Sequence, residues 1–301
     1  MEHDNIMKDI PGFPKKIMLE VSSLCNHKCI FCSTQKSHRK KRIIDDGLAN
    51  KIIEEAYSLG CREISFHAMG EPLMCNNLKN YIKKAKESGY DYVYIDTNGA
   101  LAVPGKIEPV IDAGLDSIKF SIGAANREDY KKIHQKDDFD KVIDNLVSLF
   151  NYKNNNRIKL KIIVGFAETR YTLGQGEELK KLIGKYVDEI WIYGITNQGG
   201  NMSEDNAGLY VDRKCEKNLC KEPFDRIVVT SEGLVTACCM DNDNNLVYGN
   251  VNDNLLSEIW TCQRAQDIRK QHLTGENLNY FCKNCYLEVF CNWNKDRQVY
   301  I

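Results

Sequence analysis

The stretch Lys16-Ile17-Met18-Leu19-Glu20-Val21 runs directly into Ser22-Ser23-Leu24-Cys25-Asn26-His27-Lys28-Cys29-Ile30-Phe31-Cys32. It reads as a short apolar strand followed by a loop carrying three thiols at C-x3-C-x2-C spacing. Three thiolates on one short loop can hold three corners of a cubane 4Fe-4S cluster and leave the fourth iron without a protein ligand, which makes that iron a chemical site. Zinc is the competing occupant, but it usually takes four ligands with paired C-x2-C spacings. His27, inside the x3 segment, is the nearby candidate for a fourth.

Outward from this stretch the chain alternates β-branched runs with helical patterns. Strands are expected at Lys16 to Val21, Glu63 to Ala68, Tyr92 to Thr97, Ser117 to Ile122, Lys159 to Phe166 and Glu189 to Ile195. Helices are expected at Asp45 to Leu59, Asn76 to Ser88, Pro109 to Ala113, Phe139 to Tyr152 and Glu177 to Tyr186. Repeated βα units imply a parallel sheet covered by helices, either open and doubly wound or curled into a partial barrel. From about Gly199 the pattern turns to Asn, Asp, Gly and Cys clusters. There a strand pair (Arg226 to Thr230, Leu234 to Ala237) and a helix near Leu255 to His272 are expected. Such a segment is expected to have little apolar surface of its own and to depend on a metal centre for its fold.

Composition narrows the function classes. The 301 residues suit two domains, or one large α/β domain with an appendage. A net charge of −1 gives no field that favours nucleic acid or an anionic membrane. No apolar run approaches the ~18 residues of a membrane span, and charges interrupt the N-terminus where a signal peptide is apolar. The chain therefore reads as cytoplasmic, where its 13 cysteines stay reduced and free for metal or redox chemistry.

The triad resembles the signature of the radical S-adenosylmethionine (radical SAM) superfamily, C-x3-C-x-aromatic-C after the first strand of a partial (β/α)6 barrel, with Phe31 in the aromatic place. The resemblance covers about Lys15 to Ile195. It implies that Cys25, Cys29 and Cys32 bind a 4Fe-4S cluster whose open iron is chelated by SAM, and that the reduced cluster yields a 5′-deoxyadenosyl radical that abstracts substrate hydrogen. Met69-Gly70-Glu71-Pro72 looks like the family's glycine-glutamate-proline stretch, with Gly70 and Glu71 meeting the SAM ammonium. Asn98 after strand three and Ser121 after strand four resemble further SAM-side positions, and Gly165 to Glu168 loosely resembles the adenine-side segment. The family often reads Ser-x-Asp after strand four; here Gly123 stands in the last place.

The C-terminal third resembles the SPASM or twitch domains of the same superfamily. The matching features are Cys220, Gly233-x4-Cys238, Tyr248-Gly249-Asn250-Val251 running to Trp260, and Cys282-x2-Cys285. The full two-cluster pattern continues through Cys291, but Lys295 stands where a further cysteine belongs. The resemblance thus implies one auxiliary 4Fe-4S cluster on Cys220, Cys238, Cys282 and Cys285. Cys215, Cys239, Cys262 and Cys291 are left over as small buried hydrophobes, with Cys239 the candidate hydrogen donor to a substrate radical. A zinc ribbon is the competing reading of this half.

The expected organisation is a radical SAM barrel over 1–200 and an auxiliary-cluster domain over 201–301. The expected function is an oxidoreductase or epimerase, supplied with electrons by a flavodoxin or ferredoxin. Twenty-four residues precede Cys25, where peptide-modifying relatives often carry a precursor-binding domain. That favours a small carbohydrate or cyclitol over a ribosomally made peptide. A reading from another class is a silent iron-sulfur or zinc scaffold or electron carrier, although a carrier gains nothing from an open iron. The basic run His38-Arg39-Lys40-Lys41-Arg42 is expected to be a solvated loop, with an acidic or phosphorylated substrate as its alternative contact. His67 and His134 are expected as structural histidines, Asp241 and Asp243 as turn residues, and Trp191 and Tyr193 line either the barrel mouth or the core.

Overall fold

Each of the six expected strands forms, and they pair in chain order: β1 Lys16–Leu19, β2 Glu63–Ser65, β3 Tyr92–Thr97, β4 Ser117–Ser121, β5 Lys161–Glu168 and β6 Glu189–Gly194, all parallel. The computed structural model describes residues 12–202, 208–209, 220–276, 278–285 and 298–300. A doubly wound sheet needs a reversal in strand order; here there is none, so right-handed crossovers put every helix on one face. That resolves the sheet as a partial (β/α)6 barrel, with a polar concave face opposite the helices.

Burial along β3 shows both faces. Val93, Ile95 and Thr97 are buried, while Tyr92, Tyr94 and Asp96 alternate with them on the concave side. Covering the convex side are α1 (Asp46–Ser58), which buries Ala49, Ile52, Ile53 and Ala56, and α2 (Leu78–Ser88), which buries Leu78, Tyr81, Ile82 and Ala85. Asp45 caps α1 by accepting from Leu48 N–H, as its position before the apolar stripe predicts. Next come α3 (Pro104–Asp112), α4 (Arg127–His134), α5 (Phe139–Asn155) and α6 (Gly176–Ile183).

Three local expectations change. Pro104, not Pro109, takes the proline-tolerant first turn of α3, so that helix starts five residues early. α4 was not expected: Asn126 caps it by accepting from Asp129 N–H, but among its charges only Tyr130, Ile133 and His134 are buried. The single helix expected from Leu255 is two, α8 (Leu256–Thr261) and α9 (Gln263–Thr274), separated by an extended Cys262. A short α7 (Glu222–Asp225) precedes them.

The C-terminal strands continue the barrel's sheet. β7 (Arg226–Val229) lies parallel to β1 with Ile227 beside Ile17, and β8 (Leu234–Thr236) and β9 (Val247–Asn250) follow antiparallel. At the other edge β10 (Gln298–Tyr300) pairs antiparallel with β6.

One ion pair clasps the junction and corrects the reading of the basic run. Arg39 has a side chain only 5% exposed and grips Glu20 with both guanidinium ends, at 2.6 and 3.2 Å. Glu20, fully buried at the end of β1, also accepts from the Ser231 amide and hydroxyl in the β7–β8 turn, at 3.0 and 2.7 Å. Arg39 is thus neither solvated nor offered to a substrate, because a buried carboxylate already takes its charge. Beside it, His38 N–H donates to Asp243, and Lys41 donates to the Thr34 carbonyl.

Candidate active site

The loop of Cys25, Cys29 and Cys32 leaves the carboxyl end of β1 and is tied down on all sides. The amides of Lys28 and Ile30 donate to the carbonyls of His134 and Ile133 at the end of α4. Gln198 brackets Cys32: its amide nitrogen donates to the Phe31 carbonyl at 3.2 Å, while its oxygen accepts from Ser33 N–H at 2.8 Å and Ser33 Oγ at 2.6 Å. Thr34 Oγ1 donates to the Met69 carbonyl and so joins this loop to the next. The three thiols feel one another. Burial first, and then the charges of Cys32 and Cys25, push Cys29 well above an ordinary thiol; burial, followed by Glu71 and Cys32, pushes Cys25 up to about 11.

Beside this loop lies the turn after β2. Gly70 is required there by packing, because a methyl group would overlap the carbonyl oxygens of Ser22 and Leu24. Glu71 N–H donates to that same Leu24 carbonyl at 2.7 Å. The Glu71 carboxylate is buried and accepts from Leu73 N–H (3.0 Å), Thr97 Oγ1 (2.7 Å) and Asn98 N–H (2.8 Å). It therefore fastens the turn to the end of β3. Asn98 Nδ2 in turn donates to Asn26 Oδ1 and lies 3.9 Å from Cys25 Sγ. Gly70, Glu71, Asn98 and the triad thus form one hydrogen-bonded body. Ser121 ends β4 opposite Gly165 of β5, one alternation above Lys119 on the concave face.

Below them the concave face is charged. Asp96 sits 2.5 Å from Lys119 Nζ and 3.4 Å from His67 Nε2, and Lys119 lies over the Trp191 ring. Burial, partly opposed by Asp96, lowers His67 to about 4, so its ring is neutral near pH 7, and its Nδ1 is buried without a hydrogen-bond partner. Tyr193 completes this set, since its hydroxyl is what a methyl at Gly165 would meet. Trp191 and Tyr193 therefore face the barrel interior.

The C-terminal thiols come together from three segments. Cys282 is pushed up to about 12 by burial and then by Cys220 and Cys285; Cys220 reaches about 12 by burial, Glu222, Cys285 and Cys239. Cys239 rather than Cys238 is felt at Cys220 and Cys285, while Cys238 faces Cys239. Cys239 Sγ also lies 3.9 Å from Glu222 Oε2, and Glu222 pairs with Arg226 at 3.2 Å. Cys215 and Cys291 lie outside the described residues.

The donor pattern tests whether thiolate-bound metal fits. A neutral buried thiol gives its S–H to a carbonyl, as Cys61 does to Pro14 and Cys262 to Tyr248. The sulfurs of Cys25, Cys220, Cys238 and Cys285 instead accept backbone N–H groups, from His27, Glu222, Met240 and Gly199 respectively. N–H groups aimed at sulfur suit an anionic ligand and stabilise the electron-rich state of an iron-sulfur cluster. Cys75 also accepts such groups, from Asn77 and Leu78 at the entry to α2, whose N-cap is Asn77.

Comparison with known proteins agrees with this geometry. The Radical SAM superfamily model matches residues 19–175, half of the chain, with the triad and the turn after β2 inside it. The chain belongs to the radical SAM superfamily. The model of the iron-sulfur cluster-binding SPASM domain matches residues 220–286. The cofactors of this radical SAM protein are accordingly 4Fe-4S clusters and SAM. A SAM-dependent 2-deoxy-scyllo-inosamine dehydrogenase of Niallia circulans is 25% identical over 280 residues, 89% of this chain and 91% of that one. A GTP 3′,8-cyclase of Chlorobaculum tepidum is 30% identical over 127 residues, 42% of this chain and 38% of that one. BtrN in complex with AdoMet and 2-DOIA shares the fold with a TM-score of 0.62 and 23% identity, covering 90% of this chain and 92% of that one. SuiB of Streptococcus suis bound to its precursor peptide SuiA shares it with a TM-score of 0.70 and 16% identity, covering 89% and 70%. Among the described residues no helix is long and apolar enough to cross a membrane.

Sequence reasoning missed Gln198 and underread His134. Nothing in the order of residues connects Gln198 to Phe31 and Ser33, 167 and 165 positions away. His134 had one signal, the Asn126 cap and the acidic first turn of Glu128 and Asp129, which would have placed it at the last position of a helix.

Proposed function

We propose that this radical SAM protein oxidises a hydroxyl-bearing carbon of a small carbohydrate or cyclitol. The observation that carries the reading is the charged barrel interior beneath the triad loop, where His67, Asp96, Lys119 and Tyr193 offer closely set polar partners to a compact polyol. The near full-length similarity to a cyclitol dehydrogenase supports it. In this reading residues 1–200 form the catalytic barrel and 201–301 the auxiliary unit. Cys25, Cys29 and Cys32 hold the SAM cluster. Phe31, Gly70, Glu71, Asn98 and Ser121 shape the SAM site, with Glu71 ordering the turn whose backbone meets the ligand. When bound and reduced by a flavodoxin or ferredoxin, the SAM-ligated cluster supplies a 5′-deoxyadenosyl radical that takes substrate hydrogen. Lys119 and Tyr193 orient substrate hydroxyls, and the neutral His67 ring, held by Asp96, receives the hydroxyl proton.

Cys220, Cys238, Cys282 and Cys285 would hold one auxiliary cluster, which would supply an acceptor for the second electron. Cys238 Sγ accepts Met240 N–H at 3.3 Å whereas Cys239 directs its S–H to Glu222 Oε2 at 3.9 Å, which supports Cys238 as the fourth ligand. If Cys238 is the ligand, Cys239 is the free thiol, and the alternative outcome of epimerisation by hydrogen return from Cys239 stays open to test.

Anaerobic reconstitution tests the reading. We expect about eight irons per chain and 5′-deoxyadenosine on addition of SAM and dithionite. Incubation with a cyclitol panel should give a product two mass units lighter; deuterium taken up from deuterium oxide at an inverted carbon would show epimerisation instead. Stoichiometric zinc without iron-sulfur absorption overturns the proposal, and turnover of ribosomal peptides alone overturns its substrate class. Iron counts of Cys238→Ser and Cys239→Ser identify the fourth auxiliary ligand.

A further inference from the structure

We propose that His134 is a positioning residue that donates an N–H···S hydrogen bond to Cys29 and thereby eases reduction of the SAM-binding cluster. This rests on the assignment of Cys29 as a cluster ligand.

The geometry fixes the tautomer. Gly123 N–H donates to His134 Nε2 at 3.0 Å, so that nitrogen carries a lone pair and, in the neutral ring, the proton resides on Nδ1. Nδ1 lies 3.3 Å from Cys29 Sγ and has a hydrogen to give it. The ring is only 2% exposed, stacks on Tyr130 with centroids 4.1 Å apart, and meets His27 edge-on. The backbone locks the arrangement, because the carbonyls of Ile133 and His134 receive the amides on either side of Cys29.

This also gives a reason for the departure at position 123. A methyl group at Gly123 would lie 3.2 Å from His134 Nε2 and 3.2 Å from Ile133 Cγ2, tighter than ordinary packing. Glycine lets the β4 exit close onto the ring.

A rival exists on the same atoms. His27, Cys29 and His134 offer ligand atoms within 4.8 Å of one another, as a mononuclear metal site would. His134 cannot ligate through Nδ1 while Gly123 N–H occupies Nε2, since that would require a proton on the nitrogen that faces a donor.

Hydrogen bonds to cluster sulfurs stabilise the reduced, more negative state, as outer-shell partners of metal ligands do generally. The test is an EPR-monitored redox titration of the reconstituted holoenzyme, following the signal that changes when SAM is added. His134→Leu should make reduction about tenfold less favourable, close to 59 mV for one electron, with iron still near eight per chain. His134→Gln, which keeps an N–H donor, should recover most of the shift. On the parent protein, hyperfine spectroscopy should show an exchangeable proton coupled to the SAM-responsive cluster and no directly ligated histidine nitrogen; this needs no variant to fold. An unmoved potential in His134→Leu, a lowered one that Gln does not recover, or a ligand-strength nitrogen coupling overturns the proposal. Absence of any SAM-responsive signal in the parent protein overturns instead the triad assignment beneath it.

Discussion

The two thiol regions are built on different principles. Around Cys25, Cys29 and Cys32 the chain shapes a contiguous loop by itself, through α4, Gln198, and the Thr34 bond to Met69. Around Cys220, Cys238, Cys282 and Cys285 the thiols come from separate segments; contrary to the sequence expectation, the stretches between them are not poor in apolar surface, since Ile227, Val235, Leu256, Ile259 and Trp260 pack into the barrel's own core. A metal that joins distant segments removes loop entropy that packing alone does not offset. In the proposed assignment the first metal serves chemistry, while the second also ties separate segments together.

The largest effect should follow from breaking this contrast directly. Replacing Cys25, Cys29 and Cys32 together with Ala should abolish SAM cleavage while leaving about four irons and a barrel that melts close to the parent temperature. Replacing Cys282 and Cys285 should cost the auxiliary irons and, beyond that, open residues 220–285 to limited proteolysis. Equal protease sensitivity of the two variants would show that both loops depend alike on their metal.

Next in size is the clasp that joins the regions. Glu20→Gln removes the closer of the two carboxylates on buried Arg39 and leaves Glu232 at 3.4 Å, a loss of about 2–3 kcal/mol in unfolding free energy. The pH dependence has a definite sign. Burial raises the Glu20 carboxyl, but Arg39 and the Ser231 donors outweigh it, and the group ends below its usual 4.5. A depressed carboxyl stabilises above its unfolded value and loses that contribution as pH falls through its folded value. Urea unfolding should therefore separate parent from Glu20→Gln fully at pH 7 and progressively less below about pH 4. A difference that persists unchanged into acid would assign the clasp to packing rather than charge.

The same contrast explains what the sequence reveals. The strands are legible because alternation such as Val93, Ile95 and Thr97 is a local signal, and the triad is legible because its spacing is contiguous. The pairing of β7 with β1 joins Ile227 to Ile17 with no pattern in between, so only the folded sheet shows it. α4 is hidden because three buried residues among charges make a weak stripe, and its evidence lies in the Asn126 cap. Arg39 reads as one of a solvated run until Glu20, nineteen residues earlier, appears beneath it. The choice between Cys238 and Cys239 is set by a turn that adjacent cysteines cannot encode.

A smaller effect is expected at Glu71. Its carboxylate holds Leu73 N–H, Thr97 Oγ1 and Asn98 N–H, so Glu71→Ala frees the turn and leaves buried donors unpaired. Iron content should be unchanged, and SAM should bind about tenfold more weakly by equilibrium dialysis, as expected when about 1.4 kcal/mol of ordering is lost. Glu71→Gln retains one acceptor oxygen and should fall between. Parent-like affinity in the Ala variant would remove Glu71 from the SAM site.

The smallest predicted effect is the one felt in both regions. The Gln198 side chain brackets Cys32, and the N–H of Gly199 donates to Cys285, so one dipeptide touches both thiol sets. Gln198 holds φ 47°, a left-handed conformation that costs a non-glycine residue about 1–2 kcal/mol. Gln198→Ala and Gln198→Gly lose the same side-chain bonds, each worth about 1 kcal/mol net, but only Ala keeps the strain. Both should weaken SAM binding by about fivefold, given that scale of loss. The Gly variant should melt no lower than Ala, because relief of the left-handed cost offsets its greater unfolded-state entropy. Should Gln198→Ala alter the EPR signal of the auxiliary cluster as well as SAM affinity, the two regions are mechanically joined through residues 198–199. A change confined to SAM binding would leave them as separately built sites on one sheet.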